Sequence, residues 1–197
     1  MKNTKPTPES IFDALSISIK LSKILNGFKL EEIHLFSYFT SILFLSDGNT
    51  LSDWTYRFIT SPGGYPYSDI LDITLKRLIQ NGFITSEDDT EFYVSSDRGL
   101  AEFEKFHDFS ELKGREGYLS TACNINLVIP YSKTIRALLK DPQLDQSMQT
   151  DEDEWLLHDH ETYERFKQIS NEVGVTYDNL LLSGVNWVEY FANLGTE

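Results

Sequence analysis

The chain has 197 residues, which is enough for one sizeable hydrophobic core or for a small module with a helical extension. Its 31 Asp and Glu residues outnumber its 17 Lys and Arg residues, and the resulting net charge of -14 disfavours binding to nucleic acid and to acidic membranes. Cys123 is the only cysteine, which excludes an intrachain disulfide and a zinc cluster of thiolates.

The N-terminal residues, the length of the apolar runs and the single cysteine predict a cytoplasmic protein that does not bind to a membrane. The first ten residues, MKNTKPTPES, contain no apolar segment of signal-peptide length. The longest apolar-rich run, IHLFSYFTSILFL, is shorter than the roughly 20 residues that a membrane span needs. A single cysteine is also typical of a reducing compartment.

Two helices are predicted in the first fifty residues. The letters TPE at 7–9 supply an N-cap, a proline at the first helical position and an acid near the positive end of the helix dipole. The following LSISIKL also alternates at the strand period, but the helical spacing of the apolar residues up to the Asn-Gly break at 26–27 favours a helix. Residues 30–45 are apolar on nearly all sides, which predicts a central core helix.

A segment rich in aromatic residues and turns follows. The letters SDGNT at 46–50 end the second helix, and LSDWTYRFI continues as a short helix or an extended segment. Its aromatic residues are expected in the core: Trp54, Tyr56 and Phe58. The prolines and glycines of SPGGYP at 61–66 predict irregular structure, and Ser68 or Asp69 is expected to cap the next helix.

The order of elements from residue 69 to residue 106 is that of a winged helix, a module that most often binds DNA. Apolar residues at helical spacing predict a helix at 69–81, which Gly82 ends. Residues 83–86 and 91–95 are predicted as two short strands around an acidic tip, and SSDRG begins another helix. The expected core is Ile33, Phe36, Phe39, Leu43, Leu71, Leu75, Leu78, Phe83 and Val94.

The C-terminal part is helical in character. Prolines at 130 and 142 interrupt it, an acidic run without Lys or Arg extends over 151–164, and a last helix is predicted at 177–194, docked on the core. We therefore predict a mainly α-helical (α+β) winged helix with a β-hairpin wing and a C-terminal helical extension. Its parts are an N-terminal tail and helix at 1–29, the winged-helix module at 30–109 and the extension at 110–197.

Catalytic and cofactor-binding motifs are not recognisable in the sequence. The letters HDHE at 158–161 offer two imidazoles and two carboxylates, but His158 and His160 would point to opposite sides of a helix. A nucleophile elbow, a phosphate-binding loop and a dinucleotide-binding loop are lacking, and Cys123 has the apolar surroundings of an inert buried thiol. We predict a protein that is not an enzyme and has no metal or cofactor, with a metal-dependent hydrolase as the weakest alternative.

The charge of the predicted module favours a protein partner over DNA. Residues 61–110 hold four basic residues against ten acidic residues, and phosphate contacts supply most non-specific DNA affinity. A DNA-binding regulator or antitoxin is the alternative, with Lys76, Arg77 and Gln80 as its DNA contacts. Two groups are predicted to bind a partner: Trp155, Leu156 and Leu157 in the acidic run, and Glu87, Asp88 and Asp89 at the wing tip. The alternative for 155–157 is a loop pinned to its own domain.

From residue 30 onwards, the chain resembles the small winged-helix middle components of bacterial ABC-three-component defence systems, of which the Lamassu anti-phage systems are the best-known group. The resemblance rests on the core helix, on LSDWTYRFITSPGGYPYSDILDITLKRLIQNGFI, on the wing, and on SSDRG and SGVNWVEYFANLG. It implies a non-catalytic adaptor that binds an SMC-like ABC ATPase, couples it to an effector nuclease and contacts DNA only through the complex. Bacterial antitoxins share much of the 61–84 pattern, which keeps the regulator as the alternative.

Overall fold

The structure, a computed structural model, describes residues 5–86, 90–149, 155–157 and 180–194. These residues confirm a mainly α-helical chain with two antiparallel sheets of two strands each. The helices are α1 (Pro8–Leu25), α2 (Leu30–Ser46), α3 (Asp69–Gln80), α4 (Asp97–Lys105), α5 (Ser110–Asn124), α6 (Tyr131–Leu139), α7 (Pro142–Gln149) and α8 (Leu180–Asn193). The strands are β1 (Ile59–Thr60), β2 (Pro66–Tyr67), β3 (Ile84–Ser86) and β4 (Tyr93–Ser95). No helix in these ranges is long and apolar enough to cross a membrane.

Helix α1 begins where the sequence predicts. The Thr7 hydroxyl accepts the Ser10 N–H at 3.1 Å, and Ser10 Oγ accepts the Thr7 N–H at 3.0 Å, which together form a capping box. The strand period of LSISIKL does not produce a strand, because α1 is buried on all sides over these residues. Its buried serines find partners in two ways: Ser18 donates to the Ala14 carbonyl within the helix at 2.6 Å, and Ser16 donates to Glu116 Oε2 of α5 at 3.0 Å.

Helix α2 is the central core helix, as predicted, and it packs against α1, α5 and β2. Helix α1 in turn packs against α3, β4 and α5. The buried apolar residues form one continuous core from Phe12 to Ala192, to which the predicted tail, module and extension all contribute. The predicted boundaries after residues 29 and 109 therefore do not separate independent hydrophobic cores.

The aromatic segment forms a 3₁₀ helix (Leu51–Asp53) and then the β1–β2 hairpin, in which Thr60 pairs with Pro66. The prediction of irregular structure is wrong for Pro66, which tolerates the strand because both strands of a two-stranded sheet are edge strands. The expected core aromatics are all buried: Trp54, Tyr56 and Phe58. The intervening Arg57 is exposed, which is the alternation of an extended chain.

Helix α3 ends at Gln80, two residues before Gly82, whose φ of 68° lies in the left-handed region, and the β3–β4 hairpin follows. Phe28, between α1 and α2, pairs with Tyr93 on the other side of β4 through hydrogen bonds of 2.9 and 2.8 Å. Strand β4 therefore has neighbours on both sides. The two strands are shorter than the predicted ranges 83–86 and 91–95.

Seven of the nine predicted core residues are buried: Ile33, Phe36, Phe39, Leu43, Leu71, Leu75 and Leu78. The prediction is wrong for Phe83 and Val94, which are only half-buried. Phe83 precedes β3, and the neighbouring Ile84 is buried in its place, while the Phe83 ring is flanked by the Arg98 guanidinium at 5.2 Å. Val94 lies in a two-stranded sheet, which covers its side chains poorly. The last predicted helix does dock on the core, because Trp187 of α8 is fully buried with its ring 5.1 Å from that of Phe39.

A buried ion pair links α1 to α5. Arg115 donates from Nε to Asp13 Oδ1 at 2.9 Å and from its terminal nitrogen to Asp13 Oδ2, while its guanidinium lies 3.8 Å from the Trp54 ring centroid. Burial acts to lower the pKa of Arg115, but the Asp13 carboxylate outweighs it and raises that pKa. Tyr56 donates to the same carboxylate and is hydrogen-bonded to Ser37. The network therefore fixes Tyr56, which directly precedes Arg57 in the chain.

Candidate partner-binding cleft

A cleft of about 350 Å³ opens between the β1–β2 hairpin and the start of α3. We name it the α3 cleft. Its lining residues are Thr55, Tyr56, Arg57, Ile59, Tyr67, Ser68, Asp69, Ile70 and Trp155. All but Trp155 come from the segment 55–70, so a residue from far along the chain completes the cleft wall.

Trp155 and Arg57 form one wall of the α3 cleft. The Arg57 guanidinium carbon lies 3.0 Å from the centroid of the Trp155 ring, so the two groups stack as a cation–π pair. Trp155 remains 50% exposed in this contact. A half-exposed tryptophan whose orientation is fixed by an arginine is a preorganised aromatic anchor of the kind that dominates protein interfaces.

Trp155 is held by the two leucines that follow it. Both are buried, and the Leu156 N–H donates to the Phe58 carbonyl at 2.8 Å. The Leu157 N–H donates to Gln143 Oε1 at 2.5 Å, and Leu157 has a left-handed backbone with φ 74°, which leucine adopts only where its surroundings impose it. Of the three predicted partner-binding residues here, only Trp155 has an exposed side chain, while the two buried leucines pin the loop to its own domain.

At the N-terminus of α3, one buried polar group lacks a hydrogen-bond partner among the residues that the structure describes. Ser68 is the N-cap residue, yet its side chain makes no capping hydrogen bond, and its buried hydroxyl has no partner among the described residues. Its N–H donates to His34 Nδ1 at 3.2 Å. The buried His34 ring stacks on Tyr67 with 5.0 Å between centroids, and burial lowers the pKa of His34 to about 4. The His34 imidazole is therefore uncharged at neutral pH, and it supports the cleft wall through its contacts with Ser68 and Tyr67.

Two carboxylates of the first turn of α3 lie near the cleft. Burial, together with the charges of Asp72 and Asp69, raises the pKa of Tyr67 to about 12. Asp72 is compensated by Lys76, whose Nζ lies 2.6 Å from its carboxylate oxygen. Asp69 and Arg57 form no ion pair with any residue that the structure describes. The cleft thus presents one cation and one anion to a ligand.

The predicted DNA contacts, Lys76, Arg77 and Gln80, are exposed on α3. They do not form a basic surface, because Lys76 is bound to Asp72 and the helix also carries Asp69. Equal numbers of acids and bases on this helix leave no excess of cations to displace counterions from DNA.

Two further predictions fall on parts of the chain outside the described residues: the acidic wing tip, Glu87, Asp88 and Asp89, and HDHE at 158–161. Within the described ranges, no group of three His, Cys, Asp or Glu side chains is arranged to hold a metal ion. Cys123 is buried, and burial raises the pKa of its thiol to about 12. The prediction that this thiol is buried is confirmed.

Trp155 is predicted from the sequence as a site residue, whereas Arg57, His34 and Tyr67 are not. A signal for Arg57 does exist, since it is the one charged residue between Trp54 and Phe58 and the alternation there places it on the outward face. Its pairing with Trp155 depends on tertiary structure and has no local signal.

No family model matches the chain, and neither a curated protein nor a solved structure shows significant similarity to it. The resemblance to ABC-three-component subunits therefore stays a prediction that rests on the quoted residues.

Proposed function

We propose that the protein is a non-catalytic adaptor that binds a partner protein through the α3 cleft. The observation that carries this proposal is the half-exposed Trp155, stacked on Arg57 and fixed by two buried leucines. A large aromatic side chain that is already held in one orientation loses less conformational entropy when a partner binds, and this favours association.

The proposal keeps the winged helix that the sequence predicts at 30–109, and extends it to include α1 and the bridge at Phe28. The order of α1, the bridge at Phe28, α2, α3, β3 and β4 supports it, as does the position of β4 between β3 and Phe28. In a DNA-binding winged helix the helix before the wing enters the major groove. The balanced charge of α3 supports use of the same scaffold to hold protein.

The resemblance seen in the sequence suggests the identity of the partner. We propose a cytoplasmic anti-phage defence complex in which the adaptor binds an SMC-like ABC ATPase and couples it to an effector nuclease. The net charge of -14 supports a basic contact surface on that partner, because opposite charges steer association.

Affinity purification of the tagged full chain from its native operon, followed by mass spectrometry, tests this function. We expect an ABC ATPase to copurify with the wild type and to be lost from Trp155→Ala. The matched control is Tyr190→Ala, which removes an aromatic side chain of similar exposure (47%) on α8. Absence of any ATPase, or equal recovery with both variants, would contradict the proposal.

A further inference from the structure

The two most exposed large apolar side chains in the described part of the chain are neighbours. Leu127 and Val128 are 69% and 63% exposed, and they lie in the turn between α5 and α6. Single exposed apolar residues are common on protein surfaces, whereas a cluster of them indicates an interaction site. The turn is therefore a candidate contact surface.

The backbone of this turn is fixed from within. Its first residues form a 3₁₀ helix (Ile125–Leu127), and the N–H groups of Val128 and Ile129 both donate to the Ile125 carbonyl, at 3.0 and 2.8 Å. Ile125 and Ile129 are buried on either side of the exposed pair in the sequence. The pair thus stands on an anchored turn, and the turn loses little conformational entropy when a partner covers it.

Helix α6 continues the exposed surface beyond the turn. Ser132, Arg136 and Leu139 are exposed at spacings of four and three residues, which places them on one stripe of the helix. Val128 lies within about 11 Å of the first residue of α6, because three peptide units separate their Cα atoms. A helix of about four turns can therefore cover both parts. We name this surface the α6 face, and it consists of Leu127, Val128, Ser132, Arg136 and Leu139.

The charge of the α6 face differs from that of the whole molecule. Residues 117–140 are the longest stretch of the sequence without Asp or Glu, and they include Lys133, Arg136 and Lys140. Lys133 pairs with Glu189 of α8, and Lys140 donates to an uncharged backbone carbonyl. Arg136 forms no ion pair with any residue that the structure describes. An acidic protein thus presents a local cationic surface beside its most exposed apolar residues.

We propose that the α6 face binds an amphipathic helix of a partner protein, with acidic residues along the edge of the apolar side of that helix. In this complex the apolar side covers Leu127, Val128 and Leu139, and an Asp or Glu beside it pairs with Arg136. Charge complementarity decides the occupant, because the cations of α6 attract acidic groups and the remaining surface of the protein repels them.

The same charges disfavour an anionic membrane, which is the other partner that an apolar turn near cations can meet. A bilayer presents an extended negative plane, so it also faces the acidic surface around the α6 face and is repelled by the net charge of -14. A single helix covers the α6 face alone. The geometry of the contact therefore favours a protein helix.

The α6 face is separate from the α3 cleft, since none of its residues lines that cleft. The inference therefore goes beyond the proposed function and does not depend on what the α3 cleft binds. It gives the adaptor a second contact surface with the opposite charge preference. A protein that couples two partners needs two such surfaces.

Titration of the ¹⁵N-labelled full chain with a designed acidic helix tests the inference by NMR. The probe is an acetylated and amidated peptide with two repeats of Leu-Glu-Glu-Leu-Leu-Lys-Glu, and the matched control has Ala at every Leu. Near an ionic strength of about 0.15 M, we expect the probe to shift the amide signals of Leu127, Val128 and Leu139 in a saturable manner. The control peptide should cause no such shifts. Absence of saturable shifts up to about 1 mM probe, shifts confined to other regions, or equal shifts with the control would overturn the inference.

Variants of the protein separate the apolar contact from the charged one. Leu127→Ser/Val128→Ser should weaken binding of the probe at least about tenfold, because the helix then buries little apolar surface. Its control is Phe109→Ser, which removes an apolar side chain of similar exposure (59%) just before the opposite end of α5. Arg136→Gln should weaken binding roughly two- to fivefold, as for an exposed ion pair, whereas Arg98→Gln in α4 should not. Tighter binding to Arg136→Gln, or equal effects in the variants and their controls, would contradict the proposed contact.

Cosedimentation with vesicles of phosphatidylcholine and phosphatidylserine tests the membrane as occupant. We expect the protein to stay in the supernatant, because its net charge opposes the anionic lipid. Binding to the vesicles that is lost in Leu127→Ser/Val128→Ser would assign the α6 face to a membrane and overturn the inference.

The two proposals fail in different ways. If Trp155→Ala loses the ATPase in the purification but the acidic helix does not bind, the adaptor function stands and the α6 face falls. If the acidic helix binds with the expected effects of the variants but no ATPase copurifies, the α6 face stands and the proposed partner falls.

Discussion

His34 links the ionisation of one residue to the structure of the α3 cleft. Its Nδ1 accepts the Ser68 N–H only while that nitrogen is unprotonated. Burial lowers the pKa of His34 from 6.5 to about 4, although the charge of Asp72 favours the protonated form. Protonation would therefore remove an acceptor from beneath the first turn of α3.

We predict that acidification from pH 6.5 to pH 4 destabilises the protein through His34. In this window the unfolded chain binds a proton at His34 and the folded chain does not, so the free energy of unfolding falls as the pH falls. The full shift corresponds to about 3 kcal/mol. Urea unfolding of His34→Gln should show a loss between these pH values that is smaller by this amount, whereas equal losses in variant and wild type would contradict the prediction.

At the scale of elements, helix α4 meets the β3–β4 hairpin at a glycine. A Cβ atom on Gly99 would lie 2.2 Å from the Phe83 carbonyl oxygen, a backbone atom that cannot rotate aside. Ser96 fixes the same junction, since its hydroxyl donates to the Gly82 carbonyl at 2.7 Å and accepts the Gly99 N–H at 3.0 Å. The small residue in SSDRG is therefore a packing requirement.

We predict that Gly99→Ala lowers the free energy of unfolding by about 1–3 kcal/mol, as over-packing of a filled site does. The control is Gly117→Ala in α5, where an added Cβ has no heavy atom within 4 Å. Alanine there should raise the free energy of unfolding by about 0.5–1 kcal/mol, because it favours the helix. Urea unfolding measures both, and changes of the same sign would contradict the close approach of α4 to Phe83.

The elements that could be predicted from the sequence are those with local signals. The N-caps at Thr7 and Ser96 act within one helical turn, so both helix starts were predictable. Pro66 has the local character of a strand breaker, and only its pairing with Thr60 makes it part of β2. Phe83 is predicted as buried from its apolar character, which does not reveal that the neighbouring Ile84 takes the buried position.

The candidate site was predictable only in part for the same reason. Trp155 stands out as a tryptophan within an acidic run, but the site forms when Leu156 bonds to Phe58 and the indole stacks on Arg57. Both contacts join parts of the chain that are far apart in sequence. The sequence predicts an ordinary N-cap at Ser68 or Asp69, and it likewise gives no sign that the Ser68 hydroxyl lacks a partner among the described residues.

At the scale of the whole molecule, the Asp13–Arg115 pair joins the N-terminal helix to the C-terminal half. We predict that Asp13→Leu and Arg115→Met each lower the free energy of unfolding by about 3–5 kcal/mol, because each leaves a buried charge without its partner. The double variant should lose less than the sum of the single losses, since it leaves neither charge uncompensated. Urea unfolding of the four proteins measures this coupling, and additive losses would contradict it.

The charge of the whole molecule leads to the remaining prediction, which concerns DNA. With a net charge of -14 and a balanced α3, the isolated protein has too few free cations to release counterions from a duplex. We expect no salt-sensitive binding to mixed-sequence duplex DNA by fluorescence anisotropy, at low salt or near physiological ionic strength of about 0.15 M. Submicromolar binding that weakens steeply with salt and is lost in Lys76→Ala/Arg77→Ala would contradict the adaptor function. The control is Arg98→Ala/Lys105→Ala, which removes equal charge from α4. DNA binding that is lost in the α3 variant but kept in this control would assign α3 as a recognition helix.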